Sequence, residues 1–311
     1  MESIVKVVHL SHRYTTQWAV KDVNFEISNH GVVGLLGSNG AGKSTTMNII
    51  CGVLNQTEGD IYIKGVDLRK DPVEAKKHVG FLPQRPPVYG DLNVEEYITY
   101  CAELRLMPKE EIPAAVEEAM KRCGITHFRK RLIRNLSGGY QQRVGIAQAI
   151  VHKPEFVVLD EPTNGLDPNQ IVEIRQLIKE IATDRAVLLS THILSEVQAT
   201  CEYILMVEQG QVVFSGSIEE FDNYIEPDSF FIELANPPEI SVLESLDGID
   251  RVEAVSPTRF KLHFDKSKET MQKVVSAAVE GGWGLSESVL QKVSLDEIFA
   301  QLSGKREKVE A

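Results

Sequence analysis

The hydrophobic positions of this chain change their period twice. The runs VVGLLG (Val32–Gly37), FVVLD (Phe156–Asp160) and AVLLSTH (Ala186–His192) are apolar throughout rather than alternating. Continuous apolar runs of this length predict strands of a parallel sheet covered on both faces. YILMVEQGQVVFSG (Tyr203–Gly216) predicts a hairpin turning at Gln209-Gly210. Between the first two runs lies a helical insertion, in which Asn93 and Glu96 form a capping pair and Val94, Tyr97, Ile98, Cys101 and Leu104 fall on one face. Apolar strands alternate with helical patterns to about residue 220, the order of an α/β fold.

After DNYIEPDS (Asp222–Ser229) the period shortens. Phe230, Ile232 and Leu234 alternate, as do Phe260, Leu262 and Phe264, which predicts half-buried strands, while Met271, Val274, Val275 and Ala278 keep helical spacing. Ser294 with Glu297 reads as a capping box opening a last helix, with Leu295, Ile298, Phe299 and Leu302 inward. With a helix near Ser241 and a strand near Val252, the order is close to β-α-β-β-α-β, the ferredoxin-like α+β pattern. The expected organisation is an α/β domain over residues 1–225 with a helical subdomain at about 90–150, an accessory α+β domain over 226–304, and a loose tail at 305–311.

Composition narrows the class. A length of 311 residues suits two domains, and 42% hydrophobic with 25% charged residues is ordinary for a folded core. The net charge is −12, with 15 acidic against 10 basic residues from Asp228 onward and an acidic excess before it as well. Neither part carries the basic stripe that nucleic-acid phosphates require, so no nucleic-acid partner is expected. Cys51, Cys101, Cys123 and Cys201 form no CxxC pair and read as reduced thiols. No apolar run approaches the ~20 residues of a spanning helix, and MESIVKVVHL lacks the features of a signal peptide.

Candidate chemistry gathers at the ends of the apolar runs. GSNGAGKST comprises Gly37, Ser38, Asn39, Gly40, Ala41, Gly42, Lys43, Ser44 and Thr45, and matches G-x-x-x-x-G-K-[ST] directly after a strand and before a helix. Glycines let backbone N–H groups wrap a phosphate, the helix N-terminus adds positive charge, Lys43 reaches the outer phosphates, and the Ser44 hydroxyl can ligate Mg²⁺. FVVLDE ends in two carboxylates: Asp160 can hold Mg²⁺ directly or through a water, and Glu161 can face the attacking water. His192 ends another run at the same edge, where it can touch the γ-phosphate or the nucleophilic water; a plain polar strand end is the alternative. Gln84, closing VGFLPQ, has a neutral amide able to meet both metal and water, or is a simple loop glutamine.

A second glycine turn stands about a hundred residues on, at LSGGYQQR (Leu136–Arg143). With the phosphate loop, FVVLDEPTNGLDP, Gln84 and STH, it resembles the ATP-binding subunit of ABC transporters across roughly Ile4 to Gly216. The resemblance implies a P-loop ATPase domain with a helical subdomain, ATP and Mg²⁺ as ligands, and hydrolysis with Glu161, His192, Gln84 and Lys43 in catalytic roles. It also implies a head-to-tail dimer, in which Ser137, Gly138 and Gly139 contact the γ-phosphate of the ATP held by the partner's Lys43. Tyr14 would stack on adenine, with Trp18 second. Asp167, in GLDP, would lie in the loop linking the two sites, and Gln84 with RPPVYGDL would form the surface that meets a membrane subunit.

A trailing α/β segment ending in SLDEIF resembles the ABC-2-type exporter group, which serves drugs, antibiotics, lipids, sodium and gliding machinery. The resulting expectation is a homodimeric ATPase, cytoplasmic and peripheral on the membrane, energising separately encoded permease subunits without inserting into the bilayer itself. A soluble ABC ATPase that drives assembly of a protein or metal-cluster complex is the alternative reading.

Overall fold

The computed structural model describes residues 3–224, 227–291, 298 and 302. Contacts divide the chain into two units, Met1–Ile218 and Glu219–Ala311, and each has its own apolar core.

The chain opens with β1 (Val5–Tyr14), β2 (Gln17–Ile27), β3 (Gly31–Leu36), α1 (Lys43–Ile50), β4 (Glu58–Ile63), β5 (Val66–Asp67), α2 (Pro72–Lys77) and β6 (Val79–Leu82). Three helices follow, α3 (Val94–Leu104), α4 (Ile112–Arg122) and α5 (Gly138–Ile150). Then come β7 (Phe156–Asp160), α6 (Pro168–Ala182), β8 (Ala186–Thr191), α7 (Leu194–Thr200), β9 (Tyr203–Glu208), β10 (Gln211–Ser217) and α8 (Ile218–Asp222).

Two sheets result. One is antiparallel, in the order β2-β1-β4-β5; the other runs β10-β9-β3-β8-β7-β6, with β9, β3, β8, β7 and β6 parallel. All five residues of β7 and all six of β8 are buried, which is why their sequences do not alternate. A single core joins the sheets and α1, with Leu10 and Val23 from one side, Val158, Leu188 and Leu205 from the other, and Met47, Ile49 and Ile50 from the helix. Each of these α1 side chains is fully buried, worth about 1.5–3 kcal/mol of transfer free energy. The hairpin turn falls at Gln209 and Gly210, both with positive φ, +47° and +78°, the backbone of a tight primed turn whose twist matches its strands.

The helical insertion starts at a full capping box: Asn93 Oδ1 accepts from the Glu96 N–H at 3.0 Å, and Glu96 Oε2 accepts from the Asn93 N–H at 3.0 Å. Val94, Tyr97 and Ile98 are buried as the period predicts, but the last turn of α3 departs from it. Ala102 takes the buried position, Cys101 is half-buried and Leu104 is 63% exposed. α5 returns to the parallel sheet at β6, where a Cβ on Gly80 would come within 2.1 Å of the Ala149 carbonyl oxygen. Gln148 Nε2 there donates to the Phe81 carbonyl at 2.8 Å.

The second unit contains β11 (Ser229–Leu234), α9 (Ile240–Glu244), β12 (Ile249–Ala254), β13 (Arg259–Phe264), α10 (Lys268–Glu280) and β14 (Leu285–Leu290). Its sheet has the order β12-β13-β11-β14, antiparallel throughout, which is the ferredoxin-like arrangement expected from the sequence. Phe230, Ile232, Leu234, Phe260, Leu262 and Phe264 line its core with Val274 and Ala278 of α10. The expected last helix falls outside the described residues except Ile298 and Leu302, both helical and buried, and residues 305–311 lie outside them as well.

Candidate active site

The phosphate loop leaves the end of β3 and enters α1. Gly42, the N-cap of α1, has φ +104°, and a Cβ there would stand 2.5 Å from the Ala19 carbonyl oxygen, so only glycine fits the turn. Lys43 is buried, its Nζ donating to the carbonyls of Gly37 at 2.9 Å and Ser38 at 3.0 Å. Burial pulls the pKa of its ammonium below the ordinary value, and the carboxylates of Glu161, Asp160 and Glu208 oppose that shift. Ser44 is exposed and Thr45 half-buried on the first turn of α1. Asn39 and Gly40 are exposed, and Ala41 is buried. Ser38 differs from its neighbours, because its Oγ donates to Glu208 Oε1 at 2.7 Å and its N–H to Glu208 Oε2 at 3.4 Å.

The carboxylate pair lies two strands from the loop, where β7 ends beside β8. Asp160 is buried and accepts a short hydrogen bond from the hydroxyl of fully buried Ser190. Glu161 has φ +47°, a left-handed conformation costing about 1–2 kcal/mol for a non-glycine residue. It is held there from all sides. Its N–H donates to Ser190 O and Oγ, both at 3.2 Å. Its Oε2 accepts from Gln84 Nε2 at 2.8 Å and Asn164 Nδ2 at 3.2 Å, and its Oε1 lies 2.9 Å from His192 Nδ1. Thus Gln84, Glu161 and His192, from three separate segments, meet at one carboxylate. Backing them, Thr191 Oγ1 donates to buried Glu196 at 2.8 Å and accepts the Ile193 N–H at 3.0 Å, fixing the segment around His192.

The second glycine turn is elsewhere. Ser137 is the exposed N-cap of α5 and makes no side-chain capping bond; Gly138 is exposed and Gly139 buried. α5 is anchored on β6, three strands from β3. A helix N-terminus led by an exposed serine and glycine, the serine hydroxyl making no capping bond, suits an anion brought to it from outside. Asp167 caps α6 by accepting the Gln170 N–H at 3.0 Å, so its carboxylate has a local structural task. Tyr14 closes β1, 52% exposed, with an edge contact to His12 at 4.7 Å between ring centroids; Trp18 is also exposed, under the Arg13 guanidinium.

Sequence reasoning did not single out Asn164, Ser190 or Glu208. Asn164 stands inside the quoted DEPTNGLDP and could have been suspected from its place three residues after Glu161; Ser190 and Glu208 carry no local signal.

Among the described residues, no group of three or more His, Cys, Asp or Glu side chains could hold a metal ion by itself, and no helix is long and apolar enough to cross a membrane. The family model described as ABC transporter matches residues 20–164. The bacitracin transport ATP-binding protein BcrA of Bacillus licheniformis is 34% identical over 215 residues, 68% of this chain and 69% of that protein. The linearmycin resistance ATP-binding protein LnrL of Bacillus subtilis is 27% identical over 307 residues, 97% and 99% of the two chains. Among solved structures, a dimeric ATP-binding cassette in a post-hydrolysis state bound to ADP and Pi is 28% identical, with a TM-score of 0.62 over 69% of this chain and 98% of that one.

Proposed function

We propose, on the premise that this chain belongs to the family of ABC transporter ATP-binding proteins, that it is the energising subunit of a membrane exporter. The chain is an ATPase. The observation that carries the assignment of its chemistry is the convergence of Gln84, Asn164 and His192 on the Glu161 carboxylate. In this reading Lys43 and the loop amides bind the triphosphate, Glu161 takes a proton from the attacking water, and His192 orients Glu161 and meets the γ-phosphate.

The donors fit a magnesium ion that is shared with the substrate. Ser44 offers an exposed hydroxyl, Asp160 keeps one oxygen beyond the Ser190 bond, and Gln84 keeps its amide oxygen while its nitrogen serves Glu161. Magnesium needs only one or two protein oxygens beside phosphates and water. When bound it would neutralise developing charge on the phosphate oxygens.

Dimer closure follows from the uncommitted turn at Ser137–Gly139: two copies meet head to tail, each offering that turn to the ATP on its partner's Lys43. We assign residues 1–225 to this motor, with its helical subdomain at about 90–150, and 226–304 to an accessory module. Asp167 would stand near the second site while capping α6, and Tyr14 would stack on adenine.

Docking to a membrane subunit is supported by an open cleft of about 520 Å³ with Val53, Val73, Leu104 and Leu106 exposed and Lys76, Lys77 and Arg105 around it. Exposed apolar groups clustered in this way mark a binding surface, and the basic surroundings suit an acidic cytoplasmic segment of the permease. Phe81, in the same cleft, is three residues from Gln84. The exporter assignment draws on BcrA and LnrL, whose names speak of bacitracin transport and linearmycin resistance; it makes the chain peripheral on the cytoplasmic face. The test is affinity purification from membranes of the native host under mild detergent. A multi-spanning membrane protein at one copy per ATPase chain, lost from a Leu106→Glu variant, is the expected result. A soluble companion retained in its place would overturn the exporter reading in favour of an assembly ATPase.

A further inference from the structure

The phosphate loop is braced from behind by the tip of the β9–β10 hairpin together with Ala19 of β2. A Cβ on Gly37 would come within 2.1 Å of the Val207 carbonyl oxygen, so the two backbones are in direct contact. The Gly210 N–H donates to the Ala41 carbonyl at 2.9 Å, and the Gly210 carbonyl accepts from the Lys21 N–H at 2.8 Å. Positions that a Cβ would take on Gly42 and on Gly210 lie 2.5 Å and 2.8 Å from the same Ala19 carbonyl oxygen. The remaining contact is polar: Ser38 gives both its donors to Glu208, at 2.7 Å from the hydroxyl and 3.4 Å from the N–H.

That last contact has an electrostatic cost. Glu208 places a carboxylate beside a loop whose ligand is a polyanion, close enough to interact with Lys43. A negative group there repels phosphate, and a glutamate is a poor choice unless its hydrogen bonds return more than the repulsion removes. The 2.7 Å charge-assisted bond from the Ser38 hydroxyl works in that direction, since such bonds are roughly twice as strong as neutral ones, and the longer N–H contact at 3.4 Å points the same way. Because Ser38 directs its hydroxyl and its N–H to Glu208, it braces the frame of the loop.

We propose that Glu208 is a positioning residue for nucleotide binding: through Ser38 it clamps the first turn of the phosphate loop to the β9–β10 tip, holding the loop open for the triphosphate and so setting ATP affinity. The clamp acts before chemistry, so it changes binding without changing turnover once ATP is bound. It rests on the reading of Gly37–Thr45 as the phosphate cradle.

The test is a double-mutant cycle on the full chain, with ATP dissociation constants measured by fluorescent-nucleotide displacement and kcat by phosphate release. Glu208→Ala and Ser38→Ala should each weaken ATP binding roughly 3- to 10-fold, the range a typical net hydrogen bond allows. The double variant should be no weaker than the weaker single. Glu208→Gln, which still accepts the Ser38 hydroxyl bond, should restore most of the affinity, and kcat of Glu208→Ala at saturating ATP should stay within about twofold of the parent. Tighter binding in both Glu208 variants would mean that repulsion dominates and would overturn the clamp. Additive losses, or unchanged affinity in the Ala variants, would overturn it equally. Lys43→Ala, run alongside, separates the two readings. If it fails to abolish binding, the cradle assignment itself falls; if it abolishes binding while the Glu208 variants do nothing, only the clamp falls.

Discussion

Glu161 sits in a backbone conformation that a glutamate adopts at a cost, and hydrogen bonds with Gln84, Asn164, Ser190 and His192 hold it there. Replacing it with glutamine keeps the size and the hydrogen-bonding edge but removes the basic oxygen. Phosphate release by Glu161→Gln should fall at least 100-fold, in line with the contribution of a general base, while ATP binding survives and an ATP-dependent dimer accumulates on size exclusion. Turnover at the parent rate would remove Glu161 from the base role. Ser190 makes a second, more local prediction. Ser190→Ala leaves the Asp160 oxygen without its buried donor and takes one of two acceptors from the Glu161 N–H. The cost should be about 1–3 kcal/mol in denaturant unfolding, the penalty of an unmade buried bond, with a fall in kcat larger than any change in ATP affinity. A variant equal to the parent in both would show that neither carboxylate depends on it. Legibility differs sharply at this scale. The carboxylates could be read because they interrupt an apolar run at a strand end. Ser190 could not, because a serine inside AVLLSTH has no period to break. Glu208 could not because its partner Ser38 is 170 positions away.

Elements register what the period alone misses. The capping box of α3 and the alternation of β11 and β13 are local, and the sequence declared both. The outward turn at Leu104 is not local: Ala102 occupies the buried position there, and the leucine keeps the helical period while standing exposed. The seam between α5 and β6 was equally hidden, since its glycines and polar side chains have no pattern of their own. His152, just past α5, closes that seam with Nε2 3.0 Å from the Val79 carbonyl, while its buried Nδ1 has no partner among the described residues. Burial, followed by the nearby Arg105 charge, pulls its pKa down to about 3. The folded chain therefore holds the imidazole neutral where the unfolded chain begins to protonate at its ordinary value near 6.5. Stability from this group is complete above that value and is lost as pH falls toward 3, by up to about 1.4 kcal/mol per pH unit for one proton. Unfolding measured between pH 7 and 4 should show that slope, and His152→Gln should flatten it by about one proton. An unchanged slope would mean that the imidazole already titrates normally in the folded chain.

At the scale of the molecule, the proposed dimer makes each active site a joint property of two chains, and glycine tolerance supplies a way to test it. At Gly138 a Cβ would meet no heavy atom of the described residues within 4 Å, whereas at Gly139 it would stand 2.7 Å from the Gln170 side chain. Gly138→Asp should therefore fold, the more so because an acidic residue suits the first turn of α5, yet its carboxylate would repel a phosphate arriving there. Lys43→Ala removes the other half of the site. Each variant alone should be inactive, as both sites of either homodimer carry the lesion. Mixed in equal amounts, half of the dimers combine one chain of each kind, and two-fold geometry then gathers both lesions into one site and leaves the other intact. With independent sites, about a quarter of parental phosphate release should return; coupling between sites lowers the yield without abolishing it. A mixture as silent as its components would mean that Lys43 and Gly138 serve the same chain's nucleotide, or that the exposed turn at Ser137 meets no nucleotide, and the head-to-tail arrangement would have to be given up.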